Sequence, residues 1–305
     1  MLSVQMLIEQ LHQGNFRALA RSISLVENEV AGYDTLLKSL TFEQHTPVIG
    51  ITGPPGAGKS TLVNVLISEL VGQHKKVAVV AIDPTSPFNY GALLGDRIRW
   101  SEHYNNPNIY IRSLATRGSL GGLSDKIIEV VDVLKAAKFD YILVETVGVG
   151  QSEVEIAGLA DTTVVVLVPE AGDEIQTMKA GLMEVADIFV INKADRPDAD
   201  RFSQNLRLML HERPYTENDW EVPVLKTVAS RHEGIEQVTE AIYKHVKTHQ
   251  NTNKRAYLMA QKAIRLIQKE RLKDIDQTQL KKLIEQELIN NAAFNLYSFL
   301  QKRYF

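Results

Sequence analysis

Hydrophobic and polar residues follow different patterns along this chain, and the patterns divide it into three parts. Near the start, apolar residues recur in steps of three and four, as at Val4, Leu7, Ile8 and Leu11, which is typical of an amphipathic helix. The same spacing returns near the end. Between these parts, short β-branched runs alternate with longer helix-like stretches. We therefore predict a helical N-terminal extension over 1–43, a central domain over 44–250 and a helical C-terminal arm over 251–305.

The central alternation predicts an α/β fold. Strands that alternate with helices favour βαβ units, and hence a mostly parallel sheet with helices on both faces. Ligands of such sheets bind where the strands end. Helical patterns follow several of the runs, as over 60–71 and 123–137. The predicted strands are Val48–Thr52, Val77–Ile82, Ile109–Ile111, Tyr141–Thr146, Thr163–Val168, Ile188–Asn192 and Val222–Thr227.

Composition narrows the class of protein. The 305 residues are 44% hydrophobic and 23% charged, which is typical of a soluble globular protein. The absence of cysteine excludes a disulfide framework and a cysteine-based zinc site. The start of the chain lacks the features of a secretory signal, and no apolar run approaches the roughly 18 residues of a membrane span. We therefore expect a cytoplasmic protein without membrane contact.

Charge is unevenly distributed along the chain. Residues 251–305 contain eleven Lys or Arg and five Asp or Glu, so they carry +6 within an overall net charge of −3. A basic end is one sign of a nucleic-acid partner. Here the charges are of mixed sign and form no block of like charge, so we interpret them as a solvated helical face and expect no nucleic-acid partner.

A glycine-rich motif gives the strongest chemical signal. The segment GPPGAGKS, which starts at Gly53, matches GxxxxGK[ST], follows a predicted strand and opens a predicted helix. Glycines let the backbone N–H groups close around phosphate, and the helix N-terminus adds partial positive charge. Lys59 is expected to reach the β and γ phosphates, and Ser60 to ligate Mg²⁺. The expected phosphate-binding residues are Gly53, Pro54, Pro55, Gly56, Ala57, Gly58, Lys59, Ser60 and Thr61.

A second motif predicts which base is bound. The segment NKAD, from Asn192 to Asp195, ends a predicted strand. The Asp195 carboxylate can accept from both the N1–H and the 2-amino group of guanine, a donor pair that adenine lacks. We expect Asn192 to face the O6/N7 side and to tie its loop to the phosphate loop, while the stem of Lys193 covers the base. A further base-contacting loop is expected at Val228, Ala229 and Ser230. The predicted ligands are thus GTP and GDP.

Acidic residues near the predicted strand ends are candidates for the metal site. Mg²⁺ favours carboxylate oxygens beside substrate phosphates, so Ser60, Asp83, Asp96 and Glu145 are its predicted ligands, directly or through water. Gly148 is expected to donate its N–H to the γ-phosphate. Gln151 lies three residues further on, whereas small GTPases place their glutamine directly after the corresponding glycine. The predicted catalytic group is therefore Lys59, Glu145, Gly148 and Gln151, with no residue that stands out for positioning water.

Taken in order, GPPGAGKST, DPTSP with GALLGDR, VETVGVGQSE, GDEIQTMKAG and NKAD resemble the MeaB/ArgK group of P-loop GTPases, which includes the methylmalonic aciduria type A protein. The resemblance is strong over about residues 45–235, and VETVGVGQSE discriminates best because ordinary small GTPases carry DxxG there. It implies a G-protein chaperone that gates adenosylcobalamin delivery to an acyl-CoA mutase and protects that enzyme. It also implies that Asp173 and Lys179 lie in a loop that signals to the mutase, and that the C-terminal arm forms a homodimer.

The predicted mechanism is in-line attack of water on the γ-phosphate, slow in the isolated protein and faster when a partner orders the switch segments. Three alternatives remain. A metal-insertion GTPase is disfavoured because cysteine is absent and the histidines are scattered; we interpret His245 and His249, four residues apart, as solvated. A small-molecule kinase is disfavoured by NKAD, since most such kinases use ATP. A nucleic-acid protein would depend on the basic C-terminal arm.

Overall fold

The computed structural model describes residues 4–43, 45–83, 100–115, 126–146, 152–172, 180–211, 220–248, 252–290 and 293–304. The chain forms two compact units, Met1–Gln250 and Asn251–Phe305. No helix in these described ranges is both long enough and apolar enough to cross a membrane.

The first unit is built on a seven-stranded sheet with the order β3-β2-β4-β1-β5-β6-β7, in which every pair of neighbours is parallel. All seven predicted strands are present, with ends that differ by a few residues. The parallel α/β architecture is therefore confirmed. The strands are β1 (Val48–Thr52), β2 (Val77–Asp83), β3 (Ile109–Ala115), β4 (Tyr141–Glu145), β5 (Thr162–Leu167), β6 (Ile188–Ile191) and β7 (Val224–Lys226).

Helices surround the sheet in this unit. Short 3₁₀ turns occupy Ser101–His103, Pro169–Gly172 and Ala229–Arg231. The helices are α1 (Val4–His12), α2 (Phe16–Glu27), α3 (Tyr33–Lys38), α4 (Lys59–Gly72), α5 (Ile127–Ala136), α6 (Ser152–Leu159), α7 (Ala180–Val185), α8 (Ala199–His211) and α9 (Ile235–Thr248).

The alternation of side chains along the strands explains why helices cover both faces. In β2, Val77, Val79 and Ala81 pack in one cluster with α4 and α9. Ala78, Val80 and Ile82 pack in another cluster with α1–α3 and α5. Strands that are apolar on both faces lose water contact only when both faces are covered, so the near-continuous apolar runs follow from this layering.

The N-terminal helices share the core of the sheet. Phe16 of α2 contacts the rings of Tyr110 and Phe139, with centroids 5.5 and 6.0 Å away. A break separates two of these helices, since α2 ends at Glu27 and α3 begins after Gly32, whose φ is +97°.

The second unit contains α10 (Thr252–Leu272), α11 (Gln277–Asn290) and α12 (Leu296–Arg303). Asn295 caps α12 by accepting from the N–H of Ser298. Many of the apolar side chains of this unit are exposed, including Ile267 on α10 and Ile289 on α11. Such a surface fits a partner, and the predicted homodimer stays a prediction.

Candidate nucleotide-binding site

The phosphate loop joins β1 to α4 at the edge of the sheet where the parallel strands end. Gly53 has φ +138°, and a Cβ there would lie 2.0 Å from the carbonyl oxygen of Val166 on β5. Gly58 has φ +86°, and its Cβ would lie 2.4 Å from Nδ2 of Asn192. Both positions require glycine, because the backbone conformation and the neighbouring atoms exclude a side chain.

Lys59 is held inside this loop. Its side chain is buried, and Nζ donates to the carbonyl oxygens of Gly53 at 2.9 Å and Pro54 at 3.1 Å. The ammonium therefore lies within the curve of the backbone that begins α4, where it adds full charge to the partial charge of the helix N-terminus. Thr61, which is also predicted to bind phosphate, is exposed on the first turn of α4.

Ser60 and Glu145 bring two oxygen atoms together beside the phosphate loop. The Ser60 hydroxyl donates to Oε1 of Glu145 at 2.5 Å, and Glu145 is the buried last residue of β4, the neighbour of β1. Hard oxygen donors of this kind fit Mg²⁺, so these two predicted ligands lie together. Asp83 ends β2, the strand on the other side of β4, and its backbone reaches the same edge. Asp96 lies outside the described residues.

A threonine pair connects the strands on which these residues lie. Thr52 ends β1 and Thr146 follows β4, and their buried hydroxyl oxygens are 2.9 Å apart. The N–H of Thr146 also donates to the carbonyl of Ile51 at 3.0 Å. The end of β4 is thus fixed to the end of β1, directly before the phosphate loop begins. Sequence reasoning missed this pair, although a threonine that ends an apolar strand was a signal. The predicted catalytic residues Gly148 and Gln151 lie outside the described residues.

Asn192 connects three loops. Its Nδ2 donates to the carbonyl of Ala57 in the phosphate loop at 2.9 Å. Its Oδ1 accepts from the hydroxyl of Thr227 and the N–H of Ala229, both at 3.1 Å. The side chain is 2% exposed, so these bonds form away from water. The predicted tie from Asn192 to the phosphate loop is therefore present.

Lys193 and Asp195 face the same loops. Lys193 has φ +57°, and its Nζ donates to the carbonyl of Gly56 at 2.7 Å, so its stem bridges the base loop and the phosphate loop. Asp195 lies 3.2 Å from Nη2 of Arg231. The N–H of Ala194, between them, donates to the carbonyl of Thr227 at 3.0 Å. The NKAD segment is thus shaped by the loop that follows β7.

That loop is a tight turn. Val228 and Glu233 form an antiparallel bridge, and the 3₁₀ turn Ala229–Arg231 lies between them. The sequence predicts a base contact at this loop. The N–H of Ala229 donates to Asn192, while Ser230 is exposed. The turn therefore holds Asn192 in place, and the predicted base contact stays a prediction. Arg231 is a further residue of this site that sequence reasoning missed.

One other sequence prediction concerns a described residue away from this edge, His245. The interpretation of His245 as solvated is wrong, because it is 4% exposed and its Nδ1 lies 2.7 Å from the Thr162 hydroxyl. Its Nε2 faces Asp187 at 3.6 Å, which explains the burial of a polar ring. No cluster of three or more metal-binding side chains occurs in the part of the chain that the structure describes. His249, Asp173 and Lys179 lie outside it.

Known proteins resemble this chain over most of its length. The family described as methylmalonyl Co-A mutase-associated GTPase MeaB matches residues 19–287. A relative from Pyrococcus horikoshii is 48% identical over 261 residues, which cover 84% of this chain and 82% of that protein. The mitochondrial methylmalonic aciduria type A homolog of Caenorhabditis elegans is 40% identical over 209 residues, covering 63% and 52% of the two chains.

A solved structure confirms the predicted P-loop fold class. The crystal structure of a LAO/AO transport system kinase has a TM-score of 0.70 to this chain at 26% identity, and the match covers 99% of this chain and 97% of that one. The matched length includes the helices at both ends, so the predicted helical flanks are part of the shared fold.

Proposed function

We propose, from the premise that this chain belongs to the family of methylmalonyl Co-A mutase-associated GTPases, that it binds GTP and GDP with Mg²⁺ and hydrolyses GTP. The observation that carries the proposal is the connection between Asn192 and the phosphate loop, through its hydrogen bond to Ala57. It unites a phosphate-binding loop and a guanine-reading segment in one site.

Each side chain of the site has a proposed contact with one part of the nucleotide. Lys59, already directed into the phosphate loop, would neutralise charge on the β and γ phosphates. Ser60 and Glu145 would hold Mg²⁺, which supplies further neutralisation of the phosphate oxygens when bound. Asp195 would accept from the guanine N1–H and 2-amino groups. Asp83, Asp96, Gly148 and Gln151 complete the proposed metal and switch residues.

The proposed reaction is in-line attack of water on the γ-phosphate. Its catalysis rests on positioning and charge neutralisation, because phosphoryl transfer needs little covalent chemistry from the protein. We expect slow hydrolysis by the isolated chain, since none of the described side chains near Ser60 is a water-positioning glutamine. A partner that orders the switch segments would raise the rate. A rate of tens per second from the isolated chain, in the range of stimulated GTPases, would contradict this expectation.

Nucleotide selectivity tests the base assignment. Titration calorimetry with GDP, GTP, ADP and ATP should give a clear preference for the guanine nucleotides, because adenine leaves the Asp195 carboxylate without its donor pair. The matched variant Asp195→Asn should lose that preference, since an amide presents a donor to the guanine N–H groups. Tighter binding of ADP than of GDP by the unmodified chain would overturn the proposal.

We further propose that the cellular partner is an adenosylcobalamin-dependent acyl-CoA mutase, whose cofactor delivery and protection this GTPase gates. Support comes from the family description and from the name of the Caenorhabditis elegans relative. Asp173 and Lys179 are the residues proposed to signal to it. The test is GTPase activity with and without a purified mutase of this class. An unchanged rate, together with no complex in size-exclusion chromatography, would refute the chaperone role.

The C-terminal unit is proposed to form a homodimer. The exposed apolar side chains of α10 and α11 support this, because water contact with such a surface is unfavourable. Light scattering should give a mass near twice the 34.2 kDa of the chain. A monomer mass at micromolar concentration would refute it.

A further inference from the structure

An arginine outside every recognised motif contacts the base-reading carboxylate. Nη2 of Arg231 lies 3.2 Å from Oδ2 of Asp195, with the two side chains 60% and 36% exposed. Among the residues that the structure describes, Asp195 makes no other side-chain hydrogen bond or ion pair. Arg231 is therefore the one described side chain whose contact restrains this carboxylate.

Arg231 is presented from a rigid turn. Its N–H donates to the carbonyl of Val228 at 2.8 Å, and the N–H of Val228 donates to the carbonyl of Glu233 at 3.1 Å. His232 adopts φ +59°, and Gly234 has φ +77° with a virtual Cβ only 2.2 Å from the carbonyl of Lys226. A turn closed in this way fixes the point at which the Arg231 side chain leaves the backbone, because the backbone has few alternative conformations.

The contact is the outermost of three that join this turn to the NKAD segment. Asn192 is held through Ala229, and Ala194 is held through the carbonyl of Thr227. Both of these bonds fix the backbone or the amide, and neither fixes the carboxylate that would meet the base. Arg231 supplies the remaining restraint, at the residue that the guanine edge touches.

We infer that Arg231 is a positioning residue for guanine recognition: it orients the Asp195 carboxylate toward the N1–H and 2-amino donors. This inference rests on the proposed function. A carboxylate has about four lone-pair sites, of which guanine would use two, so Arg231 can stay in place when the base is bound. Orienting the carboxylate beforehand lowers the ordering cost of binding.

The test measures affinity for GDP and for IDP, which lacks the 2-amino group, by titration calorimetry of the full chain. Arg231→Gln removes the charge, and Arg231→Lys retains it without the planar fork. The matched control is Arg196→Gln, because Arg196 directly follows the motif but pairs with Glu170. An exposed ion pair is worth little, so Arg231→Gln should weaken GDP binding by about two- to fivefold.

The pattern across nucleotides separates positioning from a general structural effect. Arg231→Gln should weaken IDP binding less than GDP binding, because IDP makes only one of the two bonds to Asp195. Arg231→Lys should fall between Arg231→Gln and the unmodified chain. The GDP deficit should also shrink as salt rises from about 0.05 M to about 0.5 M, since salt screens the pair. Arg196→Gln should leave both affinities unchanged.

Equal losses for the two nucleotides, no loss, or tighter GDP binding by Arg231→Gln would overturn the inference. If the unmodified chain does not prefer GDP to ADP, the guanine assignment itself fails. If that preference holds while the GDP to IDP ratio of Arg231→Gln is unchanged, only the role of Arg231 fails.

Discussion

The buried amide of Asn192 permits a quantitative prediction that does not depend on any ligand. The substitution Asn192→Ala removes a donor to Ala57 and an acceptor that serves Thr227 and Ala229. The hydroxyl hydrogen of Thr227 can rotate about the Cβ–Oγ1 bond. The carbonyl of Ala57 and the N–H of Ala229 cannot, because each belongs to a fixed loop backbone.

Two buried backbone groups therefore lose their partner. Ala57 and Ala229 are 0% and 1% exposed, so water cannot easily replace the amide. A buried group left without a hydrogen bond costs about 1–3 kcal/mol. The free energy of unfolding should therefore fall by about 2–6 kcal/mol, a large part of the usual stability of a domain.

Tryptophan fluorescence during urea denaturation is a suitable assay. The chain has two tryptophans, Trp100 and Trp220, and both lie in the first compact unit, so the signal reports on that unit alone. The matched control is Asn205→Ala on the exposed side of α8, which should be neutral or slightly stabilising because alanine favours helices. A loss below about 1 kcal/mol for Asn192→Ala, similar to the control, would refute the reasoning.

Three more predictions concern nucleotide binding, the pH dependence of stability, and the metal. Gly53→Ala should abolish nucleotide binding because its Cβ would lie 2.0 Å from a backbone carbonyl of β5, whereas Gly72→Ala, with nothing within 4 Å, should leave calorimetric affinity intact. Burial raises the pKa of Asp161, but the His45 ring 3.6 Å away and a hydrogen bond from the N–H of Val48 on β1 outweigh it and lower the pKa from its usual value. The stability lost in Asp161→Asn, measured by urea denaturation, should thus be largest above about pH 4 and shrink at lower pH, where the unmodified chain also loses this contribution. Glu145→Gln should raise the Mg²⁺ concentration for half-maximal GTP binding by about tenfold in a metal titration; an unchanged requirement would argue against Glu145 as a ligand.

The sequence predicted the strands well because their apolar runs are buried on both faces. β1 has the predicted bounds, Val48–Thr52. β3 extends to Ala115, past the predicted end, because the half-buried polar residue Arg112 pairs with β2 through its backbone and with Glu27 of α2 through its side chain. Contacts with a distant helix are invisible to local periodicity, so this extension could not be predicted.

The predicted last strand was too long because it included a proline. It was expected over Val222–Thr227, whereas β7 covers only Val224–Lys226. Pro223 has no N–H to donate, and its carbonyl accepts from Phe189 just before the strand begins. Proline within an apolar run shortens an edge strand, a signal that the periodicity alone did not weigh.

Motifs predicted a set of residues that the structure brings to one edge of the sheet, but they did not predict the contacts that hold these residues. Residue type and spacing predicted a site at Lys59, Asn192 and Asp195, because phosphate and guanine demand particular donors and acceptors. The link from Asp195 to Arg231 depends on how two loops meet after folding. The burial of His245 likewise depends on Thr162, a residue 83 positions away in the chain.

The hydrogen bonds also divide the site into two groups of residues, the phosphate loop with the base loop, and the end of β4. The phosphate loop and the base loop are joined directly, through Asn192 to Ala57 and through Lys193 to Gly56. The metal-side residue Glu145 belongs to β4 and meets the phosphate loop through Ser60. Changes on the base side should therefore alter phosphate affinity as well, because they disturb one shared backbone. Changes at the end of β4 should act mainly through the metal, since their link to the loop runs through the hydroxyl that the metal would use.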